Sequence, residues 1–244
     1  MLRLLKALPL TLGLACLCFF AASCGSSNQS QIRVVHAISD GPALDINVNT
    51  TKVVTNIAFA GVQPTPPAYD KVTAGSVTLQ AYDTGTTTSI VGNNGVSASL
   101  SGSSQYTVLL TGFLNGTGPT APTFWEITDN NAAPTSGNVE FRIIDGSVNT
   151  PSGGFDVFIV PPGTNIQGLS PQVSGLTFGQ GSAYISLTAA ANGYAVIATP
   201  HGNQTPDINQ NYTLSAGQIR TIVIVDNQGG GGISAFPLLL NDLN

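Results

Sequence analysis

Three polar side chains with the capacity for chemistry stand close together near the start of the chain. His36, Asp40 and Asp45 lie within RVVHAISDGPALDINV, which runs from Arg33 to Val48. An imidazole and two carboxylates can coordinate a metal ion or bind a polar ligand. The same residues also suit a framework role, in which Asp40 caps a turn, His36 bonds a neighbouring backbone group and Asp45 pairs with Arg33.

A degenerate copy of this stretch favours the framework role. FRIIDGSVNTPSGGFDVFIV, from Phe141 to Val160, repeats the order of strand, turn and strand. Arg142 and Asp156 match the arginine and aspartate of the first copy, whereas Asp145 stands in place of the histidine. An ion pair that is kept without the histidine indicates structure rather than catalysis. We therefore predict one such pair in each copy.

Enzymatic alternatives find little support elsewhere in the chain. A serine hydrolase would have to use His36 or His201, the two histidines, and the chain has no G-x-S-x-G elbow. The acidic residues are scattered among turns and strand edges rather than paired as glycoside hydrolysis requires. We predict no catalytic residues and no enzyme.

Calcium is the one cofactor that stays open as an alternative, in a structural role. Oxygen-rich loops contain or adjoin five aspartates, although no D-x-[DN]-x-[DN]-G loop is present. These aspartates are Asp40, Asp45, Asp83, Asp129 and Asp226.

The elements that must position these residues are short strands. Period-2 alternation marks Leu44 to Val48. Two long apolar runs, Tyr106–Thr111 and Ile219–Val225, predict strands buried on both faces or within a sheet-on-sheet interface. Turn signals recur about every 8 to 12 residues, and no segment of about 10 or more residues has convincing helical periodicity. The sequence predicts an all-β protein of two tandem antiparallel β-sandwiches, immunoglobulin-like in architecture.

The chain divides into five segments on this interpretation. Residues 1–23 form a signal peptide and 24–31 a polar flexible tether. Residues 32–128 form the first sandwich, 129–138 a linker and 139–244 the second sandwich. Paired segments keep their order across both halves, which predicts a duplicated domain.

The first residues predict an address outside the cytoplasm. Arg3 and Lys6 precede an uncharged, mostly apolar run over 7–22, and Cys24 follows directly after small residues. This order favours a lipoprotein in which Cys24 becomes the lipidated first residue. Plain secretion and an uncleaved anchor are the alternatives, although the run is shorter than the roughly 20 residues that a span usually needs. We expect the body of the protein in the bacterial cell envelope, anchored to a membrane.

Composition narrows the classes of partner. Beyond Cys24 the chain has no cysteine, and five of its seven basic residues remain against twelve acidic ones. A chain so poor in cations is unsuited to nucleic acid, whose binding depends on phosphate neutralisation. Envelope glycans or proteins are the partners that we expect.

The opening motif also carries a family resemblance. RVVHAISDGPALDINVN resembles the start of an exported bacterial domain known as domain of unknown function forty-three ninety-seven, in an Arg-Val-Val-His-Ala stretch, a turn and an Asp-initiated strand. The resemblance implies an exported, often tandem and sometimes lipid-anchored protein, and it implies no chemistry.

The leading functional hypothesis is therefore a non-enzymatic module for adhesion, scaffolding or surface display. A carbohydrate-binding module is the first alternative, with Trp125 as its aromatic platform, and a secreted hydrolase is the second. Phe124, Tyr69 and Tyr82 are further aromatic candidates.

Overall fold

The computed structural model describes residues 28–230 and 235–243, so the predicted signal peptide and Cys24 lie outside the described residues. Nine strands form the first half: β1 (Gln29–His36), β2 (Leu44–Val48), β3 (Thr51–Ile57), β4 (Val62–Gln63), β5 (Asp70–Thr73), β6 (Gly75–Asp83), β7 (Val96–Leu100), β8 (Gln105–Thr111) and β9 (Thr123–Asp129). Nine more form the second: β10 (Asn138–Asp145), β11 (Phe155–Val160), β12 (Val173–Leu176), β13 (Gln180–Gly181), β14 (Ile185–Thr188), β15 (Tyr194–Pro200), β16 (Ile208–Tyr212), β17 (Ile219–Asp226) and β18 (Ala235–Leu243). A 3-10 turn at Gly118–Thr120 is the one helical element in the described ranges.

Each half is a sandwich of two sheets with the same strand order. In the first half the inner sheet runs β4-β1-β8-β9, with β5 also on β1, and the outer sheet runs β3-β2-β6-β7. In the second half the inner sheet runs β13-β10-β17-β18, with β14 on β10, and the outer sheet runs β12-β11-β15-β16. The predicted all-β, two-sandwich class is confirmed.

One pairing in each half departs from the predicted antiparallel pattern. β1 pairs with β8 in parallel, and β10 pairs with β17 in the same way. These strands are far apart in sequence, and the intervening outer sheet supplies the crossover that a parallel pair needs. The first strand also begins at Gln29, inside the predicted tether, because 29–32 pair with β5.

The inner sheets are buried on both faces, which explains the apolar character of their central strands. In β8, Val108 and Leu110 point into the core of the first sandwich, whereas Leu109 joins a cluster shared by both halves. In β17, Ile222 and Val223 divide in the same way between the second core and the shared cluster.

The shared cluster joins the two inner sheets face to face. Its members come from β1, the residue after β1 and β8 on one side and from β10, β17 and β18 on the other, with Trp125 packed against them. The buried members are Val35, Ala37, Leu109, Ile144, Val223, Val225 and Leu240. Within the described ranges no helix is long and apolar enough to cross a membrane.

We expect Leu109→Ala to destabilise both sandwiches together. Leu109 is fully buried in the shared cluster, and a cavity there should lower the free energy of unfolding by about 2–5 kcal/mol. Urea unfolding followed by the fluorescence of Trp125, the single tryptophan, measures the loss. Leu169→Ala is the matched control, because Leu169 is 43% exposed and its loss should be within about 0.5 kcal/mol. Equal losses in the two variants would contradict a packed interface.

Candidate functional site

Arg33 pairs with one aspartate of its own sandwich and with one of the other sandwich. It projects from β1 into the interface, where its Nη2 donates to the Asp242 carboxylate of the second sandwich and lies 3.3 Å from Asp129 Oδ2. Its Nε donates to Thr107 Oγ1 at 2.9 Å. The Arg33, Asp129 and Asp242 side chains are all fully buried.

Arg142 makes the reciprocal connection from the second sandwich. Its Nη2 donates to Asp129 Oδ1 of the first sandwich at 2.5 Å, and its Nε donates to Thr221 Oγ1 at 2.9 Å. Thr107 donates to Asp129 at 2.7 Å, and Thr221 donates to Asp242. The bonds therefore close a polar ring that crosses the interface twice. Its members are Arg33, Thr107, Asp129, Arg142, Thr221 and Asp242.

A tyrosine covers each arginine of the polar ring. The guanidinium carbon of Arg33 lies 5.0 Å from the centre of the Tyr69 ring, and that of Arg142 lies 4.7 Å from Tyr184. Burial alone would lower the pKa of Arg33, but the carboxylates of Asp242 and Asp129 outweigh it and raise the pKa. The ring thus holds ionised groups out of water by pairing each with the opposite half.

The predicted Arg33–Asp45 and Arg142–Asp156 pairs are wrong. Arg33 lies on the inner sheet and Asp45 on the outer sheet of the same sandwich, so the two residues never become neighbours. Asp45 instead accepts from Lys52 Nζ at 2.6 Å and from the Asn56 N–H at 2.9 Å. Arg33 and Arg142 correspond because both lie on inner strands at the interface, whereas Asp45 and Asp156 correspond as the second residues of equivalent outer strands.

Both ring nitrogens of His36 contact backbone groups of the turn that follows β1. His36 is fully buried at the end of β1, its Nε2 lies 2.9 Å from the Pro42 carbonyl, and its Nδ1 accepts the Ile38 N–H at 3.2 Å. Burial lowers its pKa, which favours the neutral imidazole. These bonds fix the turn after β1, and they leave neither ring nitrogen for a metal.

Asp40 is exposed in that turn and bonds a different segment from the predicted one. Its Oδ1 accepts the Leu114 N–H at 2.8 Å, across 74 residues of sequence, rather than a neighbouring N–H of its own turn. His36, Asp40 and Asp45 therefore do not converge, because Asp45 lies on the outer sheet.

Asp45 lines a groove on the outer sheet of the first sandwich, which we call the outer groove. It has a volume of about 340 Å³ and is lined by Asp45, Asn47, Lys52, Tyr82, Thr86 and Thr87. Bonds from Lys52 and the Asn56 N–H lower the pKa of Asp45, so its carboxylate is ionised at neutral pH. The Lys52 side chain is 50% exposed.

The equivalent Asp156 of the second sandwich holds a loop together. It accepts from His201 Nδ1 at 2.8 Å, Ser174 Oγ at 2.9 Å and the Gly202 N–H at 2.9 Å. Burial opposes ionisation, but these bonds outweigh it and lower the pKa of Asp156 to about 2. Ser174 and His201 both bond the Asp156 carboxylate here. In a catalytic triad the serine would instead bond the histidine nitrogen that does not face the carboxylate.

Asp145 and Asp226 form a second buried acidic site that the sequence did not reveal. The Ser147 N–H donates to Asp145 at 3.0 Å and the Ser147 hydroxyl donates to Asp226. Burial and the nearby Asp226 charge raise the pKa of Asp145 to about 7, although the Thr150 hydroxyl and the Ser147 N–H oppose this. Thr111 of the first sandwich donates to the adjoining Gly146 carbonyl at 2.7 Å, so the site borders the interface.

The aromatic candidates do not form one platform. Trp125 packs against the shared cluster, Phe124 lies in the core of the first sandwich, and Tyr69 covers Arg33. Tyr82 alone lines an open groove. The five aspartates proposed for calcium are likewise dispersed, and no group of three or more His, Cys, Asp or Glu side chains suited to a metal occurs in the described part of the chain.

The comparisons with known proteins bear on the family. The family model described as domain of unknown function (DUF4397) matches residues 30–158, which is more than half of the chain. The chain belongs to this family. The DUF4397 match covers the first sandwich and extends into β11 of the second. No curated protein matches the chain.

One solved structure, a leucine-rich repeat protein from Bacteroides thetaiotaomicron, aligns at 16% identity and a TM-score of 0.19. The alignment covers 83% of this chain and 26% of that protein, so the chain spans about a quarter of its length. A likeness of this size carries no information on fold or function.

Breaking the polar ring at Asp242 should be costly. Asp242→Asn leaves the buried Arg33 charge without its nearest carboxylate, and we expect a loss of about 3–5 kcal/mol in the free energy of unfolding. Asp45→Asn is the control, since its partner Lys52 is half-exposed and the loss should be about 1 kcal/mol. Chemical denaturation at neutral pH measures both, and similar losses would argue against the ring.

Asp145 should make the protein less stable at alkaline pH. Its pKa is raised to about 7 in the folded chain, so its contribution is complete below the unfolded pKa of about 3.9 and is lost as the pH rises through 7. Between pH 5 and 8 we expect wild type to lose about 2–3 kcal/mol more than Asp145→Asn. Comparing the two variants in the same buffers cancels the titration of His36, and parallel pH profiles would contradict the shift.

Proposed function

We propose that the protein is a non-enzymatic binding module of the bacterial cell envelope, held at a membrane by a lipid on Cys24. In this proposal the chain carries two copies of the DUF4397-type sandwich and presents them as a single rigid body for adhesion, scaffolding or display. The polar ring is the observation that carries the proposal.

The polar ring supports a rigid two-sandwich body. Each arginine finds its carboxylate partner on the other sandwich, and all four charged side chains are at most 4% exposed. Moving one sandwich relative to the other would leave these charges buried and unpaired, which is strongly unfavourable. A fixed body of this kind suits a protein that presents surfaces better than one that closes around a substrate.

Equivalent residues support two copies of one domain. The ring takes an arginine, a threonine and an aspartate from each half at matching positions of the inner sheets. Tyr69 and Tyr184 cover the arginines in the same manner. The strand orders of both sheets also repeat, which is more than a shared fold class requires.

The carboxyl groups with strongly perturbed pKa values take part in loop structure, which favours a binding role over catalysis. Asp145 and Asp156 have the most perturbed carboxyl pKa values, and both are engaged in bonds that fix loops. Catalytic acids and bases need a shifted pKa together with access to a substrate. Asp145 is fully buried, and Asp156 is 6% exposed.

The described surface favours neutral polar partners. Arg33, Arg142 and Arg220 are buried, which leaves Lys52 and Lys71 as the cations that the described surface presents. Anionic polymers would meet few positive charges and several exposed or part-exposed carboxylates.

The lipid anchor can be tested by metabolic labelling with a clickable fatty acid in a bacterial host. We expect the full-length chain to incorporate the label and Cys24→Ala to lose it. Cys18→Ala is the matched control, because Cys18 lies inside the predicted signal and should keep the label. Labelling of Cys24→Ala would reject the anchor.

The binding role can be tested with the Cys24→Ala chain purified without lipid. After sedimentation with isolated envelope fractions, the chain should be recovered in the pellet. After sedimentation with particulate fractions of other compartments, it should stay in the supernatant. Failure to bind any envelope fraction, or a substrate turnover that survives purification, would reject the proposed function.

A further inference from the structure

We propose that the outer groove of the first sandwich binds a neutral, polyhydroxylated ligand of the oligosaccharide class, and that the second sandwich has lost this site. The inference rests on the proposed function, because it names a ligand class for the binding module.

The electrostatics of the outer groove favour an uncharged ligand. Asp45 and Lys52 are the charged residues that line it, and they form an ion pair with Nζ 2.6 Å from Oδ2. An anion or a cation entering the groove would have to compete with that pair. A hydroxyl group has no such cost, because it can both donate to a carboxylate oxygen and accept from an ammonium group.

Asn47 offers a hydrogen-bond acceptor that the protein does not use. It lies on β2 beside Asp45 and lines the groove, and its Oδ1 is buried with no donor within reach in the described chain. An unsatisfied buried acceptor is unfavourable unless a ligand or water supplies the donor. A hydroxyl of a bound sugar is such a donor.

Tyr82 supplies the apolar part of the site. It pairs with Asp45 across β2 and β6 and is part-exposed in the groove. Aromatic rings present a face to the C–H groups of flat, amphipathic ligands while hydroxyls bond at their edges. The groove volume of about 340 Å³ falls in the range of small-molecule sites, roughly 300–1,000 Å³.

The second sandwich closes the same surface with apolar side chains. Asn47 pairs with Gln80 in the first outer sheet, and the corresponding pair in the second is Phe158 with Ile197. Phe158 and Ile197 are buried in a cluster with Ile166, from the loop after β11. One fold thus carries two outer faces, a polar open one and an apolar covered one, so the open groove is not a requirement of the fold.

Gln80 shows that the polar face of the first sandwich is ordered rather than merely solvated. Its Oε1 accepts from Ser89 at 2.8 Å and its Nε2 donates to the Asn93 carbonyl at 3.2 Å. These bonds fix the loop beside the groove, so Asn47 lies on an ordered surface.

Isothermal titration of the purified Cys24→Ala chain with neutral hexasaccharides tests the site. The probes are the β-linked hexamers of glucose and of N-acetylglucosamine. We expect millimolar or tighter binding of at least one, and a loss of about tenfold or more in affinity for Tyr82→Ala. Asn47→Phe, which introduces the side-chain type found at the corresponding position of the second sandwich, should abolish the heat of binding while the protein stays folded.

Tyr212→Ala is the matched control, because Tyr212 is part-buried in the second sandwich and lies outside the groove. Thermal unfolding of each variant separates lost binding from lost folding, and Asn47→Phe keeps the test valid if Tyr82→Ala does not fold. Absence of heat with both hexamers at about 10 mM overturns the site, as does binding that neither groove variant weakens.

The site and the proposed function fail in different ways. Hexamer binding without sedimentation on envelope fractions would reject the proposed function and keep the site. Sedimentation that saturating hexamer does not reduce, and that Tyr82→Ala does not weaken, would reject the site and keep the function.

Discussion

Each sandwich of this protein pairs its buried arginine with an aspartate of the other sandwich, and the rest of the structure depends on these two ion pairs. Arg33 reaches the aspartate at the end of the second half, and Arg142 reaches the aspartate at the end of the first. A pair of buried ions contributes little net stability against well-packed apolar groups, but it makes every other alignment of the two surfaces costly. The shared apolar cluster can therefore supply the area of the interface, while the polar ring sets its register.

This arrangement explains why the inner and outer sheets differ so much in composition. The inner sheets must be apolar on both faces, because one face meets the outer sheet and the other meets the second sandwich. Each outer sheet has one face that contacts neither the inner sheet nor the other sandwich. This face carries a polar groove in the first half and a covered apolar cluster in the second. Any difference in binding between the halves is thus confined to the faces that the interface does not constrain.

Much of the fold was predictable from local patterns. The bounds of Leu44–Val48 agree with the sequence prediction, because alternation and turn residues mark short strands directly. The parallel pairs and the partners of the arginines were not predictable in this way. Arg33 and Asp242 are 209 residues apart, and no local period connects them. The Arg33–Asp45 pair is wrong for a similar reason, because the two strands of this strand–turn–strand motif lie in different sheets.

The ring also says what one sandwich would be on its own. A single half would lose one carboxylate partner of its arginine and one guanidinium partner of its aspartate, both on one apolar face. Such a half is complementary to another copy of itself, since a two-fold axis would bring the arginine of each copy to the aspartate of the other. The two halves joined in one chain thus have the arrangement of a symmetric dimer, in which both outer faces lie outside the interface.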